Sequence, residues 1–293
     1  MHQLTMKEYQ IGIYEKAFPE QYSIGEMLTI GKEIGYDFFE ISIDRTEKRI
    51  SRLFDTSYWM SLKQDIDAVK FPIGSMCLSA LSTYTLGSND ALIEKRALEI
   101  AFQAILFAEN FGLRIVQIPA CDVPKNAEHT KETDERFIHN LKKTVAFASA
   151  HSVMIGLENM EDHYMDSIEK NMRLIKAIHS PYFLLYSDSG NITSASKIAG
   201  TEIWSDMKMG LDRYCAFHLK ETRPNKYGGL FYGEGHVDFP AIVNLAWSEL
   251  GIRRFVLEYW YTGNEEWKKD LAVALALCRN WISQAQIEGK TNA

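Results

Sequence analysis

Two textures of apolar residues alternate along this chain. Short, nearly continuous apolar runs occur at Gln10–Tyr14, Phe38–Ile43, Phe71–Cys77, Leu113–Ile118, Val153–Glu158, Tyr182–Ser187, Tyr214–Leu219 and Arg254–Leu257. Between them lie longer stretches with helix-like patterning: Ser23–Ile34, Asp55–Val69, Asp90–Phe111, Glu132–Ala150, Ser167–Ile178, Glu202–Met209, Phe239–Leu250 and Glu266–Ser283. The first texture predicts strands buried on both faces, and the second predicts helices packed on one face. Punctuation agrees: Ser23 is a predicted N-cap with Glu26 as its capping-box partner, and Gly35, Gly112 and Gly251 close predicted helices. Eight strand–helix units in strict alternation imply parallel strands with right-handed crossovers, closing as a (β/α)8 TIM barrel. The expectation is one domain over residues 1–293. The competing architecture is a doubly wound open sheet, but no glycine-rich phosphate fingerprint follows the first strand.

The strand ends turn this pattern into chemistry. Four successive apolar runs finish on, or are followed by, one ionisable residue near their C-terminal ends: Glu158, Asp188, His218 and Glu258. Carboxylates are poor strand formers and costly to bury alone. A barrel gathers the C-terminal ends of its strands at one mouth, so four such endings converge there. Three carboxylates and an imidazole suit one divalent ion: Mn²⁺ or Mg²⁺ for the oxygens, Zn²⁺ or Co²⁺ with the imidazole. Counting back by two places Gly156 and Ala216 on the same inward face, where small residues leave room for an ion and a substrate. The longest irregular stretch, Lys220 to Asp238, is a strand-to-helix loop and therefore belongs to the catalytic face.

Composition narrows the classes. The chain has 293 residues, 46% hydrophobic and 24% charged, with a formal net charge of -7. A large core is within reach, and the acidic balance argues against a duplex nucleic-acid partner. The four cysteines form no CxxC pair and read as ordinary thiols of a reducing compartment. No apolar run is long enough to span a bilayer, and the polar N-terminal segment lacks a signal-like apolar region. A cytoplasmic enzyme without nucleic-acid or membrane partners is expected, and its outer helices offer surface for a homodimer.

Several motifs are similar to those of the L-ribulose-5-phosphate 3-epimerase (L-xylulose-5-phosphate 3-epimerase) family of xylose-isomerase-like barrels, sometimes labelled hexulose-6-phosphate isomerase. They include Gly12 to Ala17, Ser51 to Leu53, Ser75 to Ala80, Gly87-Ser88, His218-Leu219-Lys220-Glu221-Thr222 and Gly233 to Phe239. The resemblance implies that Glu158, Asp188, His218 and Glu258 hold the metal. It also implies that Glu158 and Glu258 flank the substrate as acid and base in an inversion at C3 through a cis-enediolate. Asn191, Lys220, Arg223, Glu234 and Lys16 are the substrate-binding candidates, with the Gly233 and Gly235 amides as further phosphate donors. Lys220 is placed either against a substrate oxygen or against Glu234. Tyr14, Trp260 and Tyr261 are candidate walls, and His163 and His236 read as structural. The chain departs from the family at Leu81 and Ser82, where a His-Arg pair is usual, and in the Cys121-Asp122-Val123 loop. An unphosphorylated ketose and an aldose–ketose isomerisation on the same metal are the alternatives. A metal-dependent DNA-repair endonuclease is disfavoured by the charge and by the few histidines near strand ends. A sugar-binding protein without turnover has no need of two carboxylates facing its ligand.

Overall fold

The structure is a computed structural model that describes residues 7–161 and 163–291. Its strands are β1 Gln10–Tyr14, β2 Phe38–Ser42, β3 Ile73–Cys77, β4 Ile115–Pro119, β5 Met154–Glu158, β6 Phe183–Asp188, β7 Tyr214–Leu219 and β8 Arg254–Leu257. All pair in parallel in sequence order, and β8 returns to β1, so the sheet closes as an eight-stranded barrel. The helices are α1 Ile24–Ile34, α2 Glu47–Ile50, α3 Thr56–Val69, α4 Ala91–Phe111, α5 Lys131–Ala150, α6 Ile168–Ile178, α7 Ser189–Ala199, α8 Ile203–Lys208, α9 Phe239–Ser248 and α10 Trp267–Thr291.

Local chemistry sets the ends of these helices. Ser23 and Glu26 form the expected capping box, and α1 stops at Gly35, whose φ of 102° is left-handed. Asp90 caps α4, and Gly112 ends it at φ 70°. The largest departure from the sequence pattern follows β6. Only one helix was expected there, at Glu202–Met209, yet α7 begins immediately at Ser189. Its sequence is rich in Ser, Thr, Asn and Gly and carries weak helical signals. Asp188 starts it by accepting the Asn191 backbone N–H at 2.6 Å.

Two apolar layers surround the sheet surfaces. The larger lies between barrel and helices; the smaller fills the lumen and includes Tyr14, Phe38, Cys77, Ile115, Tyr186, Ala216 and Val256. Gly12 allows the Phe38 ring to cross the lumen, since a Cβ at 12 would lie 2.3 Å from that ring. The barrel is thus plugged below its mouth, and the four strand-end residues are gathered at the mouth.

Candidate metal centre

Strand register brings the four strand-end residues together. Asp188 stands opposite His218, and Glu158 ends the β4–β5 ladder opposite Pro119. The Glu258 N–H donates to the Leu219 carbonyl at 3.0 Å, holding it beside His218. One ligand atom from each of Glu158, Asp188, His218 and Glu258 lies within 4.8 Å of every other. Two ligands each about 2.0–2.4 Å from one ion are at most about 4.8 Å apart, so these atoms fit around a single cation.

The carboxylates divide their oxygens in a consistent way. Glu158 accepts from Gln117 Nε2 at 2.5 Å with one oxygen and places the other 3.1 Å from His218 Nδ1. Asp188 uses Oδ1 for the α7 cap and lies 3.1 Å from Lys220 Nζ, while its buried Oδ2 has no hydrogen-bond partner among the described residues. Glu258 accepts from Trp260 Nε1 at 3.1 Å through Oε1. Its Oε2 lies 3.0 Å from His218 Nδ1 and 3.7 Å from Lys220 Nζ but has no hydrogen-bond donor at proper geometry among the described residues. Buried, unpartnered carboxylate oxygens are rare in proteins, and an ion held by these four residues would satisfy them. The donor set of oxygens and one imidazole nitrogen suits a divalent cation.

Electrostatics couple the cluster tightly. Burial raises Asp188 to about 7 despite the nearby Lys220. Burial also raises Glu158, with His218 opposing the shift. For Glu258 burial is outweighed by Lys220 and His218, which hold it at about 2. Burial alone would depress His218, yet Glu40, Tyr186 and Glu258 keep it well above its usual value. Lys220 is likewise held charged by Asp188 and Glu258 against its own desolvation. Lys220 therefore pairs with the cluster and not with Glu234.

Above the cluster lies a cavity of about 540 Å³. Glu158, Glu258, Lys220 and Asn191 line its floor, with Tyr14, Lys16, Ser79, Ser82, Tyr227 and Trp260 among its walls. Asp188 and His218 are fully buried beneath it, whereas Glu158 and Glu258 are each 7% exposed. Lys16 pairs with Asp44 at 3.2 Å and lies over the Trp260 ring. Asn191 Nδ2 donates to the Asn159 carbonyl at 2.9 Å, and its buried Oδ1 has no partner among the described residues.

Other candidates lie elsewhere. Arg223 and Glu234 are exposed and are not among the cavity-lining residues, and Glu234 accepts from the Phe231 N–H. The Gly233 N–H donates to Glu221 at 2.8 Å, and Gly235 packs directly on the Glu221 carboxylate. Glu221 also accepts from the Thr222, His236 and Val237 N–H groups and so ties down the 220–238 loop. Tyr261 does not line the cavity. His236 binds Ser194 and Thr222 hydroxyls, and His163 is exposed beside Asp166. The room at Gly156 is filled by a side chain: a Cβ there would meet Tyr186 Cβ at 2.7 Å.

Sequence reasoning missed three polar residues in mid-strand: Glu40 on β2, Ser75 on β3 and Gln117 on β4, all wholly buried. Glu40 Oε1 lies 2.6 Å from His218 Nε2, while its Oε2 accepts from Ser75 at 2.6 Å and Tyr186 at 2.5 Å. The available signal was a glutamate inside an apolar run, Phe38-Phe39-Glu40-Ile41, where an unpaired charge is costly.

Comparison with known proteins fits this geometry. Residues 28–279 match the family described as Xylose isomerase-like TIM barrel. The L-ribulose-5-phosphate 3-epimerase UlaE of Escherichia coli O157:H7 is 32% identical over 280 residues, covering 95% of each chain. SgbU of Escherichia coli strain K12, which bears the same enzyme name provisionally, is 34% identical over 285 residues, covering 94% of this chain and 96% of its own. Among solved structures, an L-ribulose 3-epimerase superimposes with a TM-score of 0.77 at 18% identity, covering 97% of this chain and 98% of its own. A D-allulose 3-epimerase from Methylomonas sp., in complex with D-allulose, gives 0.76 at 14%, covering 93% and 96%. At those identities the structures speak to the fold alone. The chain is an isomerase, a carbohydrate epimerase acting at C3, and it belongs to the L-ribulose-5-phosphate 3-epimerase family of xylose-isomerase-like TIM barrels.

Proposed function

We propose that this protein interconverts L-ribulose 5-phosphate and L-xylulose 5-phosphate, using one divalent ion held by Glu158, Asp188, His218 and Glu258. The carrying observation is that, of these four, only Glu158 and Glu258 reach the cavity. They stand at the end of β5 and just past the end of β8, with β6 and β7 between them, and so approach a bound sugar from different sides. Inversion at C3 requires a base on one face and an acid on the other, and this pair supplies both. By microscopic reversibility the glutamate that is the base in one direction is the acid in the other, so each of the two serves in both roles. The bound ion would supply Lewis acidity next to the C2 carbonyl, stabilising negative charge as the C3 proton leaves.

Lys220 and Asn191 face the same floor. Lys220 has donors for a sugar hydroxyl, and the unpartnered Asn191 Oδ1 accepts from one. Lys16, with Arg45 on the same wall, supplies positive charge for the phosphate end. The assignment leaves out Arg223 and Glu234, which are exposed outside the cavity.

The test is to incubate purified protein and Mn²⁺ with L-ribulose 5-phosphate in deuterated buffer and follow the products by NMR. L-xylulose 5-phosphate with deuterium at C3 is expected. Deuterium at C1 alone would mean aldose–ketose isomerisation. Equal turnover of L-ribulose without phosphate would remove the phosphate grip from the proposal. Substituting Zn²⁺, Co²⁺ and Mg²⁺ in the same assay ranks the ions.

A further inference from the structure

We propose that Glu40 is the positioning residue that fixes His218 as a metal ligand through Nδ1, and that Ser75 and Tyr186 fix Glu40 in turn. The inference rests on the cluster being an ion site, the reading of the preceding section.

The geometry runs across the lumen. Glu40 on β2 is 0% exposed, and its Oε1 lies 2.6 Å from His218 Nε2 on β7. A carboxylate only accepts, so a proton must sit on Nε2. The other ring nitrogen, Nδ1, faces Glu158 Oε1 at 3.1 Å and Glu258 Oε2 at 3.0 Å and is the ligand atom the cluster offers. With the Nε2 proton held by Glu40, Nδ1 is the nitrogen that gives up its proton to an incoming ion and offers its lone pair. Glu40 therefore selects the tautomer and places a negative charge behind the ring, which strengthens it as a ligand.

Glu40 itself cannot turn. Its Oε2 accepts two hydroxyl protons, from Ser75 on β3 and Tyr186 on β6. Tyr186 reaches it because residue 156 is glycine. Both hydroxyls are buried, and Glu40 is the acceptor to which each donates.

This arrangement makes Glu40→Gln a tautomer switch. A glutamine has one acceptor oxygen, which Ser75 and Tyr186 both require. The amide oxygen would turn to them and leave the NH₂ facing Nε2. The proton would then move to Nδ1 and block the ligand position. Removing the tyrosine hydroxyl in Glu40→Gln/Tyr186→Phe relaxes that demand. Ser75 can then accept from the amide NH₂, and the amide oxygen can return to the Nε2 proton.

The experiment is a Co²⁺ titration of chelator-stripped protein by calorimetry and visible absorption, with circular dichroism to confirm folding. Glu40→Gln is expected to bind Co²⁺ roughly 10- to 100-fold more weakly than the wild type. Tyr186→Phe alone should stay within about threefold, because the Glu40–His218 contact survives. The double variant should bind more tightly than Glu40→Gln, although it carries one more substitution. In zinc-loaded protein, the low-field Nε2 proton signal of His218 should be present in the wild type and lost in Glu40→Gln. Unchanged Co²⁺ affinity and an unchanged proton signal in folded Glu40→Gln would overturn the inference. So would a double variant no better than the single one, or Tyr186→Phe as weak as Glu40→Gln. If the wild type binds Co²⁺ but does not epimerise the sugar phosphate, the substrate reading falls while this inference stands. A wild type that binds no divalent ion defeats both.

Discussion

Strands β5 to β8 and strands β2 to β4 carry buried polar residues at different heights. In the first group they stand at or just past the strand ends, as Glu158, Asp188, His218 and Glu258. In the second group Glu40, Ser75 and Gln117 stand in mid-strand among apolar neighbours. Each set has its own task. The strand-end residues leave oxygens and a nitrogen unclaimed or facing one another around a common point. The mid-strand residues are turned toward the ligands: Glu40 holds His218, and Gln117 holds Glu158 through its amide nitrogen. One half of the barrel presents ligand atoms, and the other half aims them. The difference follows from reach, since a residue two positions below the mouth touches a neighbour's side chain and not the substrate.

Four changes test this division, from the largest expected effect downward. Glu258→Gln keeps the shape of a mouth residue but removes its basicity, and turnover should fall about 10²- to 10⁴-fold. Loss of deuterium incorporation at C3 reports it, and near-normal exchange would return Glu258 to a purely structural role. Lys220→Met leaves Asp188 and Glu258 without their buried cation. In chelator its unfolding free energy should drop by about 3–5 kcal/mol, the cost typical of a broken buried pair. With saturating Mn²⁺ the loss should shrink, since the ion neutralises the same carboxylates; urea unfolding in both conditions measures the difference.

Protons compete for the same atoms. Asp188 is raised to about 7, so below that pH it is increasingly protonated in the ion-free protein. An ion must displace that proton, and the apparent affinity should weaken up to about tenfold per pH unit for each proton released. Co²⁺ titrations between pH 5 and pH 8, roughly spanning that value, check the slope; a flat profile would show that Asp188 is ionised throughout. The smallest effect belongs to Gln117→Leu, which removes one donor from Glu158 while leaving the ligand in place. Affinity and turnover should change by about 1 kcal/mol, the worth of one hydrogen bond. A loss as large as that of Glu258→Gln would erase the distinction between presenting and aiming.

The same division explains what the sequence disclosed. The barrel was legible because each strand reads as an apolar run and each crossover as a helix with recognisable caps, such as Ser23–Glu26 before α1. The strand-end cluster was legible because polar residues interrupt those runs at one repeated place. Glu40 and Gln117 were not, because a polar residue inside an apolar strand gives no hint of which neighbour satisfies it. That depends on register and on a partner up to 178 residues away, as for Glu40 and His218. The α7 helix was hidden because its start comes from the Asp188 side chain and not from its own composition. The exposure of Arg223 and Glu234 depends on the path of a loop that Glu221 ties back through four backbone N–H groups, which residue spacing does not encode.

Lys220 has a consequence for the order in which the molecule is assembled. Its ammonium sits 3.1 Å from Asp188 and 3.7 Å from Glu258, held there by the fold itself. Together with a protonated His218 it offsets part of the negative charge before any ion is present. That internal counter-charge predicts a barrel that closes without metal, unlike small domains whose folding is metal binding. On that expectation, newly made protein would reach its shape first and be loaded afterwards. Material produced in a metal-starved medium would then be a folded stock, activated by the ion it is later given.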